Sequence, residues 1–311
     1  MQNQYLPEGL LLATPQNREY TASLAGLERA MQQGKILEAP AVLCDSDMNL
    51  YIDLGGIRGY MPREEVAYCR EGEELKQIAV ITRVGKPVCF KVIGLSEERG
   101  MPTAILSRRL AQIECRAEFL ADLVCGDIIK AKVTHLEPFG AFVDIGCGIV
   151  SLLTVDCISV SRISHPADRF SAGEYIPVVV RTIDREHDRI FVTHRELLGT
   201  WEENAAAFSP TETVSGIVRS VEDYGIFVEL APNLAGLAEY KSGVRVGDTA
   251  SVYIKSMIPQ RMKIKLVLID SYPALPAPTK RKYFIDTNTV KHLDRWLYSP
   301  PGCAKVIETV F

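Results

Sequence analysis

The chain repeats one alternating, glycine-interrupted stretch three times, and this repetition constrains its fold more than any other feature. The clearest copy is residues 138–146 (PFGAFVDIG), in which apolar side chains fall at every second position from 139 to 145, the period of a β-strand. Gly140 interrupts the run, which predicts a sharp bend or a close backbone approach. The pattern returns at 224–230 and more faintly at 48–54. A spacing of about 85 to 90 residues is far longer than a solenoid repeat and predicts tandem domains of one fold.

Composition limits the classes of protein that this chain can belong to. A length of 311 residues suits two or three domains, and a hydrophobic content of 47% is typical of a folded chain rather than a disordered one. The net charge is −4, so the chain is not expected to coat nucleic acid through bulk charge. Any nucleic-acid site must therefore be local.

The lack of a recognisable targeting signal and the pattern of cysteines together predict the compartment of the protein. The start of the chain lacks a basic region followed by an apolar core, and no apolar run approaches the ~18 residues of a membrane span. The eight cysteines form no C-x-x-C pair, and most lie within apolar patterns. These features predict reduced, buried thiols rather than a zinc site or a disulfide framework. We therefore expect a cytoplasmic protein with no membrane contact.

Changes between helical and strand periodicity divide the chain into seven segments. They are an N-terminal extension with a helix (1–34), a strand-rich unit (35–106), a linker helix (107–125), a second strand-rich unit (126–195), another linker helix (196–210), a third strand-rich unit (211–271) and a C-terminal tail (272–311). Five or six short strands in about 70 residues are typical of a small closed barrel.

Two segments carry local predictions of their own. Gln77–Val84 has the pattern of a strand within the first unit. The tail begins with a stiff proline spacer, Pro273–Pro278, and continues with a helix over Val290–Leu297. The tail matches none of the three units, and we expect it to pack against the third.

Several runs in the second unit carry a resemblance to a known family. The runs are 126–133 (GDIIKAKV), 139–144 (FGAFVD), 173–180 (GEYIPVVV) and 183–192. This unit resembles the S1 RNA-binding domain, the OB-fold repeat of bacterial ribosomal protein S1. The third unit is similar at 214–218 and 224–228, and the first is a degenerate copy. The resemblance implies a mainly β chain of three tandem five-stranded OB barrels joined by helical linkers.

The resemblance also implies an RNA-binding site on the second unit. Phe139 and Phe142 would each offer a ring to a base, a contact worth about 1–3 kcal/mol per base. The alternative is that one or both are core residues, since a phenylalanine on a strand is usually buried. Thr154 stands where the family usually has a histidine, so a hydroxyl replaces the imidazole there.

Charged residues complete this implied site. Asp184 and Arg189 fall on the family's positions around the last turn, where Arg189 would contact a phosphate or a base and the pair could equally be a turn salt bridge. Lys130 and Lys132, on the first strand with His135, are weaker candidates. Charges that alternate with apolar residues usually mark only a solvated face.

The residues at the corresponding positions differ in the other two units. In the third unit, Tyr224 and Phe227 take the aromatic positions and Lys263 takes the arginine position, whereas Glu239 stands at the histidine position and would repel phosphate. In the first unit, Met48 and Tyr51 take the aromatic positions, and an acidic run follows at 64–74. We therefore interpret the first unit as a protein-contact or spacer barrel.

Three hypotheses of function follow. The leading hypothesis is a non-enzymatic, cofactor-free, monomeric protein that binds single-stranded RNA, with mRNA or the small ribosomal subunit as partner in translation. The alternative is a protein-interaction scaffold that kept the barrels and lost much RNA affinity; exposure of Phe139 and Phe142 beside Arg189 separates the two. An enzyme is disfavoured, because no catalytic, phosphate-binding or metal-ligand motif is present and the five histidines have no ligand spacing.

Overall fold

A computed structural model of the protein describes residues 4–70, 72–98, 100–273 and 281–311. Apart from Pro273, the predicted proline spacer lies outside these residues. The chain divides into two compact units. Unit 1 comprises Met1–Leu123, Lys130–Lys132 and Asp144–Val150, and unit 2 comprises Val124–Ile129, Val133–Val143 and Ser151–Phe311. None of the described helices is long and apolar enough to cross a membrane.

The described strands form three closed five-stranded barrels, which confirms the mainly β fold and the three-barrel architecture predicted from the sequence. The first barrel contains β1 (Leu37–Cys44), β2 (Leu50–Asp53), β3 (Arg58–Met61), β4 (Pro87–Glu98) and β5 (Met101–Ser107). The central barrel contains β6 (Ile128–Glu137), β7 (Gly140–Asp144), β8 (Val150–Thr154), β9 (Tyr175–Asp184) and β10 (Arg189–Thr193). The third barrel contains β11 (Thr213–Glu222), β12 (Gly225–Ala231), β13 (Leu234–Ala238), β14 (Thr249–Ile258) and β15 (Lys263–Tyr272).

All three barrels share one strand order, in which the first strand lies between the second and the fourth, and the third strand pairs with the fifth. The third and fifth strands run parallel in each barrel. Equivalent residues keep the same register: Tyr60 is paired with Ile105, Leu152 with Phe191, and Leu237 with Lys265. The outward faces of the barrels can therefore be compared position by position.

Short helices connect and flank these strands. They are α1 (Pro15–Thr21), α2 (Leu24–Gln32), α3 (Gln77–Ile81), α4 (Arg108–Cys115) and α5 (Trp201–Ala205). The N-terminal helix expected from the sequence is split in two, because Ser23 caps α2 by accepting a hydrogen bond from the Gly26 N–H at 3.1 Å. The second linker is likewise interrupted: a 3₁₀ turn over Arg195–Leu198 precedes α5, which begins at a capping box formed by Thr200 and Glu203.

The strand predicted over Gln77–Val84 is wrong, because residues 77–81 form the one-turn helix α3. The fourth and fifth strands of the first barrel are supplied by β4 and β5, so this segment has no partner strand. Val80 is buried, while Ile78 and Ile81 stay exposed. The β-branched composition that suggested a strand was overridden by tertiary context.

The helix predicted over Val290–Leu297 is also wrong. Arg295–Leu297 forms a strand, β16, paired with β17 (Glu308–Val310). Burial alternates from residue 295 to residue 298, with Trp296 and Tyr298 buried and Arg295 and Leu297 exposed. This is the period of a strand, not of a helix.

Each unit has its own core. In unit 1, the first barrel is filled by fully buried side chains such as Leu50, Phe90 and Leu106, and Leu27 of α2 joins the same cluster. In unit 2, the third barrel packs Val218, Ile226 and Leu266 into a cluster that includes both tryptophans of the chain. All eight cysteines carry free thiols, and four of them are buried.

Residues 281–311 of the tail pack on the parts of two barrels that lie in unit 2, whereas the sequence predicted contact with the third only. Trp296 and Tyr298 belong to the core cluster of the third barrel. Tyr283 and Leu293 pack on a second cluster that contains Ile128 of the central barrel. The tail is therefore part of the folded unit rather than an appendage.

Candidate nucleic-acid interface

An exposed pair of aromatic rings lies at the start of β7 in the central barrel. Phe139 lies in the turn between β6 and β7 and is 55% exposed, while Phe142 lies on β7 and is half-buried. Their ring centroids are 5.9 Å apart with an interplanar angle of 88°, an edge-to-face pair. The structure thus brings together the two residues that the sequence singled out, and it leaves at least part of each ring open to solvent.

The local sequence explains why these rings face outward. Ala141 and Val143 point into the barrel and are fully buried, which turns Phe142 to the outer face of the strand. A Cβ on Gly140 would lie 2.5 Å from the Leu153 carbonyl oxygen and 3.0 Å from the Thr154 Cα. The glycine therefore serves a close approach between β7 and the end of β8, one of the two roles that its position predicted.

Further polar residues of the predicted site lie at the end of β8 and in the hairpin between β9 and β10. Thr154 ends β8 and is half-buried. Arg189 is exposed at the start of β10, opposite Asp184 in the β9–β10 register. Asp184 accepts a hydrogen bond from the His187 N–H at 3.0 Å and lies 2.9 Å from the His187 Nδ1, and these contacts lower the pKa of Asp184. His187 is thus the turn partner of Asp184, and Arg189 projects into solvent.

The two lysines of β6 belong to unit 1 and differ from each other. Lys132 is half-buried, and its Nζ donates a hydrogen bond to the Glu8 carbonyl oxygen at 2.8 Å. Lys130 is exposed. The ammonium group of Lys132 takes part in the packing of its own unit, whereas Lys130 lies on a solvated face, as the alternating charge pattern indicated.

The third barrel repeats the aromatic pair. Tyr224 is 70% exposed, and its ring lies 6.2 Å from that of Phe227 at an interplanar angle of 86°. Gly225 again allows a close approach, because a Cβ there would lie 2.5 Å from the Ala238 carbonyl oxygen. The geometry of the central barrel is therefore reproduced nearly unchanged.

Basic residues extend the face of the third barrel along β15. Lys263 is exposed at its first position, and Lys265 is exposed two residues later. Phe227, Leu237 and Lys265 occupy one continuous row across β12, β13 and β15. Glu239, which we expected to oppose phosphate, is exposed just beyond β13.

The first barrel carries a different pair of rings. Tyr51 on β2 lies opposite Tyr60 on β3, with ring centroids 5.6 Å apart. The Tyr51 hydroxyl donates to the Asp45 carboxylate at 3.3 Å. Met48, predicted at an aromatic position, instead packs against the barrel core. Tyr60 was missed from the sequence because a pair across two strands depends on register.

His135 is a further ring at the central site that the sequence ranked as weak. Its imidazole stacks on Phe142 at 6.3 Å with an interplanar angle of 23°, and its Nε2 lies 2.6 Å from the Glu137 Oε1. The Thr134 hydroxyl donates to the Phe142 carbonyl at 3.0 Å, which ties β6 to β7 at this level. Within the described residues, no group of three or more histidine, cysteine, aspartate or glutamate side chains is placed to hold a metal ion.

The sequence of the central barrel matches one known family of domains. Residues 125–195 match the family described as S1 RNA binding domain. Over 232 residues the chain is 30% identical to the small ribosomal subunit protein bS1 of Leuconostoc lactis, a match that covers 72% of this chain and 51% of that protein. It is also similar to bS1 of Staphylococcus haemolyticus, with 28% identity over 84% of this chain and 65% of that protein.

A third relative, the bS1 homolog of Bacillus subtilis, is 30% identical over 70% of this chain and 56% of that protein. The chain spans between 32% and 65% of the length of the curated relatives it matches. The similarity therefore concerns a set of barrels within longer proteins.

Proposed function

We propose that this chain, whose central barrel is an S1 RNA-binding domain, is a non-enzymatic protein that binds single-stranded RNA by base stacking on barrel aromatics. The observation that carries the proposal is the recurrence of one geometry. Phe139 with Phe142, and Tyr224 with Phe227, form exposed edge-to-face pairs at the same place in two barrels. In each pair the first ring, Phe139 or Tyr224, is exposed to solvent.

The chemistry of stacking fixes the expected properties of binding. Every base has a flat π-face, so stacking on Phe139 or Tyr224 favours single strands and discriminates little among sequences. Arg189 and Lys263, both exposed at the start of the fifth strand of their barrels, would contact the RNA backbone. The net charge of −4 predicts modest affinity that falls as salt rises.

Similarity to bS1 proteins supports a role in translation, with mRNA or the small ribosomal subunit as partner in the cytoplasm. We propose that the chain acts as a monomer and needs no cofactor. Its barrels are joined in one chain, so contacts made by two barrels with one RNA would add through a high effective concentration.

The decisive experiment is binding of fluorescent A-rich and U-rich single-stranded RNA at low and moderate salt. Phe139→Ala/Phe142→Ala should lose about 2 kcal/mol or more of binding free energy, since each stacked base contributes about 1–3 kcal/mol. Wild type should bind both RNAs, and its affinity should fall as salt is raised.

Tyr175→Ala provides a matched control. Tyr175 is an exposed aromatic residue on β9, which is not adjacent to β7 in the barrel. Its removal should leave affinity within about twofold if stacking is specific to the Phe139 surface. Thermal unfolding should show that all variants remain folded. Equal losses for both variants, or no binding by wild type at low salt, would contradict the proposal.

A protein-interaction scaffold remains the second candidate, and the first barrel favours it. The Tyr51 hydroxyl is bound to the Asp45 carboxylate, and Asp45 also accepts two backbone N–H groups, so a negative group lies beside this ring pair. A carboxylate at that place repels phosphate. If wild type fails to bind RNA, capture experiments should begin with this barrel.

A further inference from the structure

The central barrel carries a ring on its first strand that the third barrel lacks. His135 on β6 stacks on Phe142, and its side chain is 64% exposed. In the third barrel, Ser220 on β11 is registered opposite Phe227, the counterpart of Phe142. Each of these residues lies two positions before the glutamate that ends its strand, so His135 and Ser220 occupy the same place in the two barrels.

The contacts of His135 keep its ring on the outer face of the barrel rather than in the core. Glu137, two residues along the same strand, lies 2.6 Å from Nε2 and fixes the orientation of the imidazole. The hydrogen bond from the Thr134 hydroxyl to the Phe142 carbonyl oxygen fixes the alignment of β6 with β7 at this position. The ring is nearly parallel to that of Phe142, at 23°, whereas Phe139 meets Phe142 edge-on at 88°.

We propose that His135, Phe142 and Phe139 form a three-ring platform for single-stranded nucleic acid, on which His135 stacks one base more than the two-ring site of the third barrel can accept. The proposal rests on the proposed function and deepens it by naming a binding residue on the first strand. The face of the imidazole that is turned away from Phe142 takes the base. Glu137 is a positioning residue for this ring.

The equivalent positions of His135 and Ser220 allow the test to be made in both directions, by removing the ring from one barrel and adding it to the other. The background protein for this test is Tyr224→Ala/Phe227→Ala, which lacks the aromatic pair of the third barrel. In this background, His135→Ser should weaken binding of a fluorescent U-rich RNA of about ten nucleotides by about tenfold. His135→Phe, which keeps a ring, should bind within about twofold of the background protein. In a Phe139→Ala background, Ser220→His should strengthen binding by several-fold.

The outcomes separate this inference from the function on which it rests. If His135→Ser binds as tightly as its background while Phe139→Ala/Phe142→Ala loses affinity, the aromatic pair binds RNA without the third ring and the inference is overturned. If neither change alters affinity, the stacking function itself fails. A loss in His135→Phe as large as in His135→Ser would also overturn stacking at this position. His135 is exposed, so adding a His135 substitution to the background protein should leave its thermal unfolding unchanged.

Discussion

At the scale of single residues, Glu38 is a buried carboxyl group with an unusual environment. One oxygen, Oε2, accepts hydrogen bonds from the N–H groups of Gly9, Leu11 and Leu12 at 2.9 to 3.0 Å. The other, Oε1, is buried without a hydrogen-bond partner among the described residues. Burial raises the pKa of Glu38 to about 7, and the negative charge of Glu8 adds to this, against the lowering effect of the three N–H donors.

A pH dependence of stability follows from this pKa. Because the folded value of about 7 exceeds the ordinary value of 4.5, the folded protein keeps a proton that the unfolded chain releases. Stability should therefore fall as pH rises from about 4.5 to about 7, by about 3 kcal/mol at most from this group. Glu38→Gln cannot titrate and should remove this part of the profile.

The measurement is the difference in unfolding free energy between wild type and Glu38→Gln at about pH 5 and about pH 8. The difference is needed because burial lowers the pKa of His194 to about 4, and that group destabilises the fold as pH falls below its ordinary 6.5. His194 is unchanged in the variant, so its effect cancels. Parallel profiles for the two proteins would show that Glu38 does not titrate in this range.

At the scale of elements, Gly140 controls how closely β7 approaches β8. Gly140→Ala would place a methyl group 2.5 Å from the Leu153 carbonyl oxygen, so the strands must separate. We expect a loss of about 1–3 kcal/mol in unfolding free energy, the usual cost of overpacking, with weaker RNA binding because the Phe139–Phe142 pair shifts. Chemical denaturation and RNA titration measure the two effects.

Gly56→Ala is the control for this substitution. A Cβ at Gly56 meets no heavy atom within 4 Å, and its φ lies outside the positive range that disfavours side chains. It should therefore change stability by less than about 0.5 kcal/mol. Equal effects of the two substitutions would show that the cost comes from the loss of glycine itself rather than from the contact with Leu153.

The sequence predicted the elements that depend on local pattern and missed those that depend on register. Alternation around Gly140 predicted β7, the resemblance to S1 domains predicted the outward rings, and Gly140 itself predicted either a sharp bend or a close approach. Tyr60 and His135 reach their partners across strands, and a chain pattern does not contain that pairing. The segment at Gln77–Ile81 was misassigned because a strand needs a partner strand, which composition does not supply.

At the scale of the whole molecule, a buried ion network joins the central and third barrels within unit 2. Glu229 on β12 accepts from Arg169 at 2.5 Å and from Arg219 at 2.8 Å, and Arg219 also lies 3.3 Å from Asp168. The side chains of Arg169 and Glu229 are only 1% and 3% exposed. The segment between β8 and β9 of the central barrel, which contains Asp168 and Arg169, is thereby attached to the third barrel.

Removing one member of this network should be costly. Glu229→Leu leaves two arginines buried without their shared partner, and we expect a loss of about 3 kcal/mol or more in unfolding free energy. RNA affinity should also fall as the two aromatic pairs lose their fixed spacing. Denaturant titration of the full chain measures the first effect.

Glu308→Gln serves as the control for Glu229. Glu308 pairs with Arg295 across β16 and β17, and the side chains of this pair are exposed. Exposed pairs contribute about 0–1 kcal/mol, so this variant should unfold like wild type. A Glu229 variant that is no less stable than the Glu308 variant would show that packing, rather than the ion network, joins the two barrels.

The docking of the tail has a consequence for the timing of synthesis. The Ile128 N–H at the start of β6 donates to the Lys291 carbonyl at 2.8 Å, and Asp127 lies 2.8 Å from His292, 165 positions along the chain. At a translation rate of about 5–20 residues per second, roughly 10 to 30 s pass between the synthesis of this end of β6 and the synthesis of its partner in the tail. Until then the start of β6 lacks the hydrogen bond that the tail supplies, although all five strands of the central barrel precede the tail in the chain. The pace of the ribosome thus sets how long this end of the nascent β6 stays without its contacts to the tail.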